Sequence, residues 1–224
     1  MNLATPGVFA FFDGMSASET EQFARTVEKL GYSALWVPEG AGRETFSHAS
    51  YLLAATKRLV LAAGIANVFM REPSTAIRAA RTLAERFGDR FILGLGVSAK
   101  AANAMRGLPW DKPYSYMREY LRRMKSTAYA APSPRTDPPI VVAAILPKML
   151  ELAASETQGT HTYFVPPEHT ARARAALGPN KWICAEQAVM LERPTRSRHA
   201  LQHGPTWACI CVFPARVTAK ICSR

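Results

Sequence analysis

The sequence has no cysteine before Cys184 and only four in all: Cys184, Cys209, Cys211 and Cys222. No two of them form a C-x-x-C pair, and three crowd the end of the chain. That excludes a zinc-type spacing and a disulfide framework laid across a domain, so no metal site is expected and the thiols read as reduced. The chain also lacks any apolar run near the roughly 20 residues that span a bilayer. Asp13 interrupts the first apolar segment, and no basic stretch precedes it. Neither a membrane helix nor a signal peptide is read, and the expectation is a soluble cytoplasmic protein without a membrane partner. A third absence is local: residues 193–224 contain no Asp or Glu.

That absence bears on the net charge of +11. Six basic residues, Arg193, Arg196, Arg198, Arg216, Lys220 and Arg224, lie in this acid-free segment and supply more than half of the excess. The remaining charges are mixed in sign along the chain, as on solvated helix faces, and no basic stripe interleaved with aromatics occurs. Nucleic acid is therefore not read as a partner.

What the sequence does have is repetition. Short apolar runs begin near Gly7, Ser33, Leu59, Phe91, Ile140, His161 and Trp182, each too short for a buried helix. Between them lie helical patterns. Ser18 with Glu21 reads as the capping box of a helix that stops at Gly31. A helix is read over Ser47 to Thr56. Pro73 opens another, with Ile77, Ala80, Ala84 and Phe87 on one face and Gly88 closing it. Residues 99–139 hold a loop, a helix around Tyr114 to Ala128, and a proline-rich linker. Seven strands that alternate with helices, with no hairpin between them, make a parallel sheet with helices outside. A doubly wound open sheet and a TIM (β/α)8-type barrel both satisfy this. The repeat count favours the barrel, incomplete at about seven strand-helix units because no eighth strand is legible.

In either architecture a ligand meets the C-terminal ends of the strands. Asp13, Glu39, Asn67, Val97, Ser98, Ala143, Ala144 and the Pro166–His169 turn lie there. Gly94-Leu95-Gly96-Val97-Ser98-Ala99 fits a relaxed dinucleotide pattern, but on the wrong strand and without a helix opening directly from it. Glu39 reads either as an acid-base or cofactor-bonding carboxylate or as the cap of the next helix. His48 and His169 read as capping or surface histidines. Glu186 lies inside an apolar strand. It is either a polar-network residue inside a barrel or a site residue, since a buried carboxylate is costly unless paired.

Four stretches carry a resemblance. Residues 33–39 (SALWVPE), residues 61–67 with Arg71-Glu72-Pro73, residues 88–98 (GDRFILGLGVS) and residues 162–170 (TYFVPPEHT) resemble, in order and spacing, the luciferase-like flavin- and deazaflavin-dependent oxidoreductases. The likeness is closest to the branch that uses coenzyme F420. The resemblance implies a TIM barrel and a cofactor lying across its mouth, coenzyme F420 or alternatively FMN. It implies a bulge at Ile65, Ala66 and Asn67, where the family often has a non-proline cis peptide. It places Val97, Ser98, Gly159 and Thr160 against the cofactor and Glu39 as the acid near its ring. The implied activity is hydride transfer to, or monooxygenation of, a small organic substrate.

The resemblance runs to about residue 192, so residues 1–192 are taken as the barrel domain and 193–224 as an atypical, disordered tail. Loss of the pattern there reads as a truncated or frame-shifted terminus. On that reading the first and seventh strands keep open edges, through which a homodimer could form. The alternative to an active oxidoreductase is a catalytically defective relic of the same family.

Overall fold

The computed structural model describes Met1, residues 3–190 and the backbone of residues 207–212. Its parallel strands are β1 (Gly7–Phe9), β2 (Ala34–Val37), β3 (Val60–Ala63), β4 (Ala66–Asn67), β5 (Phe91–Gly96), β6 (Ile140–Ala143), β7 (Gly159–Tyr163) and β8 (Trp182–Met190). The helices between them are α1 (Ala17–Lys29), α2 (Thr45–Ala55), α3 (Pro73–Phe87), α4 (Lys100–Met105), α5 (Pro113–Lys125), α6 (Pro147–Glu156) and α7 (Pro167–Leu177). β3 pairs with β5 as well as with β2, so the sheet closes on itself and the barrel is the architecture. No helix among the described residues is long and apolar enough to cross a membrane.

Closure at the other side differs from expectation. The edges of β1 and β8 are not open. β9 (Trp207–Val212) lies antiparallel between them, with Gly7 opposite Cys211 on one side and Glu186 opposite Cys211 on the other. A strand inserted there satisfies the backbone groups that a missing parallel strand would have left bare. The gap that motivated the dimer reading is thereby filled. The remainder of the proposed tail lies outside the described residues.

The period of two along each strand divides the side chains into two layers. Leu35, Val37, Leu61, Leu93, Leu95 and Val142 face outward and bury against the helices. Phe9, Trp36, Val60, Ala62, Ile92, Val141 and Cys184 fill the barrel interior. Helix α3 begins and ends as its sequence dictates, with Pro73 in its first turn and Gly88 at a φ of 70° after it. Helix α1 starts two residues earlier than read. Ser16, not Ser18, is its N-cap, and its hydroxyl and the Glu19 carboxylate form the reciprocal box. Both serines have the required spacing; with Ser16 chosen, Glu21 is released to pair with Arg25 one turn on, at 2.9 Å.

Two histidines also depart from expectation. His169 is buried, its Nε2 lying 2.7 Å from the Ile145 carbonyl. His48 neither caps nor faces water. Glu44 caps α2 instead, accepting from the Phe46 and Ser47 amides, and His48 packs edge-on to Phe12 and beside Tyr51. Burial first, and the charge of Arg43 second, push its imidazole down to about 4, with Asp13 opposing them.

This sets a pH dependence. An unfolded histidine takes up its proton near 6.5 and the folded one only near 4, so the unfolded state binds more protons across that window. The stability held by the neutral ring is present above about 6.5 and lost as pH falls toward 4. Between pH 7 and pH 4 the wild type should lose about 2–3 kcal/mol more than His48→Phe. Urea unfolding of both proteins across that range measures the difference, and parallel pH curves would contradict it.

Candidate active site

The site is shaped by one extra residue. Leu61 and Ala62 stand opposite Phe91 and Ile92, whereas Ala66 and Asn67 stand opposite Leu95 and Gly96. The β3–β4 side therefore carries one residue more than β5 over the same span, which is a β-bulge. The bulge contains Gly64 and Ile65, joined by a cis peptide bond. β5 accommodates it with glycine at the two inward positions there, Gly94 and Gly96. A Cβ on Gly94 would lie 1.9 Å from the Ala63 carbonyl oxygen, and one on Gly96 would lie 2.5 Å from the Ile65 side chain. Just beyond β5, Ser98 takes a φ of 59° and turns the chain across the barrel mouth.

A polar network fixes this rim. The Arg71 guanidinium grips Glu39 at the end of β2, with Nη1 donating to Oε2 at 2.8 Å and Nη2 bonding to Oε1. The same Oε2 accepts the Asn67 amide at 2.8 Å. Asn67 then donates from Nδ2 to Oδ1 of the fully buried Asn103 on α4 at 2.8 Å, and Asn103 donates to the Val97 carbonyl at 3.1 Å. Burial opposes the charge on Arg71, but the hydrogen bonds and charge of Glu39, with Glu44, hold its guanidinium above the ordinary value. The ends of β2, β4 and β5 and helix α4 are thus tied at one carboxylate and two amides.

Above the bulge, at the C-terminal ends of the strands, lies a cavity of about 940 Å³. Its lining is mainly apolar. Phe9, Phe11 and Tyr163 stand on one side, Trp110 and Tyr114 on another, and Ile65 and Val97 on the β4–β5 side. That size and composition suit a small-molecule or cofactor site. Of the residues picked out in the sequence, Glu39, Ile65, Val97 and Ser98 line it. Ala66 and Asn67 are buried in the bulge beneath it.

Gly159 and Thr160 are not brought to it. Gly159 begins β7, where a Cβ would meet the Trp182 carbonyl at 2.2 Å. Thr160 has the outward parity, and its hydroxyl donates to the Val142 carbonyl at 2.8 Å. Inward parity instead brings His161 and Tyr163 to the cavity. The sequence reading gave no site role to His161, Arg71 or Asn103. Arg71 stood in a stretch that carries the resemblance, and His161 alternates with Gly159 and Tyr163 on one face of its strand.

Comparison with known proteins follows the same outline. The family model described as luciferase-like monooxygenase matches residues 4–178. The 5,10-methylenetetrahydromethanopterin reductase of Archaeoglobus fulgidus is 27% identical over 166 residues, which cover 66% of this chain and 50% of that protein. The chain spans about half the length of the curated relatives it matches. Among solved structures, the coenzyme F420-dependent tetrahydromethanopterin reductase from Methanopyrus kandleri superposes with a TM-score of 0.65 at 19% identity, over 77% of this chain and 59% of that one. An F420-dependent secondary alcohol dehydrogenase, solved with an F420–acetone adduct, gives a TM-score of 0.68 at 18% identity, over 80% of this chain and 66% of that one. At these identities the structural likeness establishes the fold.

The rim network makes its own prediction. Glu39→Ala leaves the Arg71 charge without its main partner and the Asn67 amide without an acceptor, and should cost about 3–5 kcal/mol in urea unfolding. Arg71→Ala should cost a similar amount. The double variant should cost clearly less than the two together, because each single change strands the other's partner. Additive losses would mean the pair does not act as a unit.

Proposed function

We propose, from the premise that the chain belongs to the luciferase-like monooxygenase family, that it is an oxidoreductase whose cavity takes the deazaflavin coenzyme F420 and a small organic substrate. The observation that carries this reading is the apolar cavity of about 940 Å³ seated on the β3–β4 bulge. It has room for a planar tricyclic ring with a small substrate beside it, and its aliphatic and aromatic walls suit both. F420 is preferred to FMN because one curated relative is a putative coenzyme F420-dependent oxidoreductase, and two of the similar solved structures are F420-dependent enzymes.

On this reading Ile65, backed by Ala66 and Asn67, would hold the cofactor together with Val97 and Ser98. Bound in its reduced form, the cofactor supplies a hydride. The protein's part is to orient the substrate against one ring face and keep water away from it, which is the work of the rings of Phe11, Trp110, Tyr114 and Tyr163. Glu39 acts by position: with both oxygens engaged, it holds Arg71 and the Asn67 amide and so fixes the seat. Gly159 and Thr160 serve the site indirectly, by setting the spacing of β7 against its neighbours.

Fluorescence titration of the purified protein with each cofactor tests the reading. Saturable binding of F420 at micromolar concentration is expected, with FMN weaker. Ala143→Trp, which fills part of the cavity beside Gly96, should weaken binding at least tenfold. Stronger binding of FMN would reassign the cofactor. Binding of neither would overturn the reading and leave the catalytically defective relic.

A further inference from the structure

Reduction of a carbonyl or imine delivers a hydride to carbon and a proton to the heteroatom. The proposed reaction therefore needs a proton source at the cavity wall. Glu39 is poorly suited, since both its oxygens are held by Arg71 and by the Asn67 amide. The wall holds another titratable pair. His161, on the inward face of β7, lines the cavity with its ring stacked on Trp36, centroids 4.8 Å apart at 26°, and lying near Phe9. Its Nε2 is 3.4 Å from Oε2 of Glu186 on β8. Glu186 is fully buried, and neither of its oxygens has a hydrogen-bond partner among the described residues.

A carboxylate buried with no donor would be a large desolvation cost. Facing an imidazole across 3.4 Å, it is tolerable when the two share a proton. Among the residues whose side chains are described, the other titratable groups beside the pair are Cys184 on β8, opposite His161, whose thiol burial pushes up, and Tyr163 on β7. Across the cavity stand Glu39 in its ion pair, Tyr114 on α5 and Lys148 on α6.

We propose that His161 is a further catalytic residue, the proton donor to the reduced substrate, and that Glu186 is the positioning residue that keeps a proton on it. This rests on the oxidoreductase reading above. In the step, an N–H bond of the imidazolium breaks and its electron pair stays on nitrogen. The proton bonds to the substrate oxygen or nitrogen whose electron pair is released as the hydride reaches carbon. Neutral His161 remains beside the Glu186 carboxylate, and a solvent proton entering through the mouth restores the pair. The reverse direction, oxidation of an alcohol, uses the same groups as acceptor.

Two measurements test this. The first needs no cofactor: nitrogen-15 NMR of histidine-labelled protein at pH 7. Both ring nitrogens of His161 should carry a proton in the wild type, and Glu186→Gln should change the ring-nitrogen shifts by more than 10 ppm. A neutral ring of either tautomer in the wild type overturns the proposal even if the variants fail to fold. The second is single-turnover reduction as a function of pH. His161→Gln should lower the rate at least a hundredfold, with the cofactor dissociation constant unchanged within threefold. Glu186→Gln should keep a measurable rate but move the alkaline limb of the profile to lower pH. Unchanged rate and profile in both variants would overturn the proposal. If the wild type binds no cofactor, the oxidoreductase reading fails, and the NMR result still decides whether the pair holds a proton.

Discussion

The oxygen of one carbonyl, that of Ala63, occupies the space where residue 94 would carry a Cβ. The site follows from that approach. Only glycine on β5 lets β3 come close enough to close the barrel and then shed one residue into the bulge. The bulge lifts Ile65 into the mouth and passes the chain back to β5 as β4, whose Asn67 is thereby placed between Glu39 and Asn103. Ile65 in turn occupies the space that a side chain at residue 96 would need. Two absent methyl groups thus set the height of the cavity floor.

Around that floor the structure separates rigidity from chemistry. The Glu39–Arg71–Asn67–Asn103 chain joins three strand ends and a short helix through buried, satisfied polar groups, the condition under which such networks fix one geometry. The opposite side of the barrel, on β7 and β8, holds its polar pair differently. His161 and Glu186 sit among Phe9, Trp36 and Cys184 with sparse solvation. One side is saturated with hydrogen bonds, and on the other a carboxylate has one ion-pairing neighbour among the described residues.

How much of this was legible follows from which physical signals are local. The strands were readable because each is a short apolar run bounded by a helix stop, and the barrel because those runs alternate with helices. Ile65, Val97 and Ser98, picked out by resemblance, line the cavity, since position along a parallel strand fixes which end of the barrel a residue reaches. Gly159 and Thr160 were misjudged in placement because two residues of strand length decide between base and mouth, and one residue of parity decides between inside and outside. The ion pair of Glu39 with Arg71 was invisible, as were the buried states of His48 and His169. Such partners are set by tertiary packing, and no spacing along the chain encodes them. β9 was hidden for a different reason: its partners β1 and β8 accept a strand of either direction, so nothing in the strand-helix rhythm announces it.

The antiparallel strand has a consequence for how the molecule assembles. β1 pairs on one side with β2, a neighbour in the chain, and on the other with residues from almost the opposite end of the sequence. Contacts between such distant segments are the slowest to form, because nearly the whole chain must be gathered first. While a ribosome is still making the later strands, the outer edge of β1 has only solvent or foreign chains to bond with. The cylinder is therefore sealed last along β1, and that seam is where a folding helper would have most to protect.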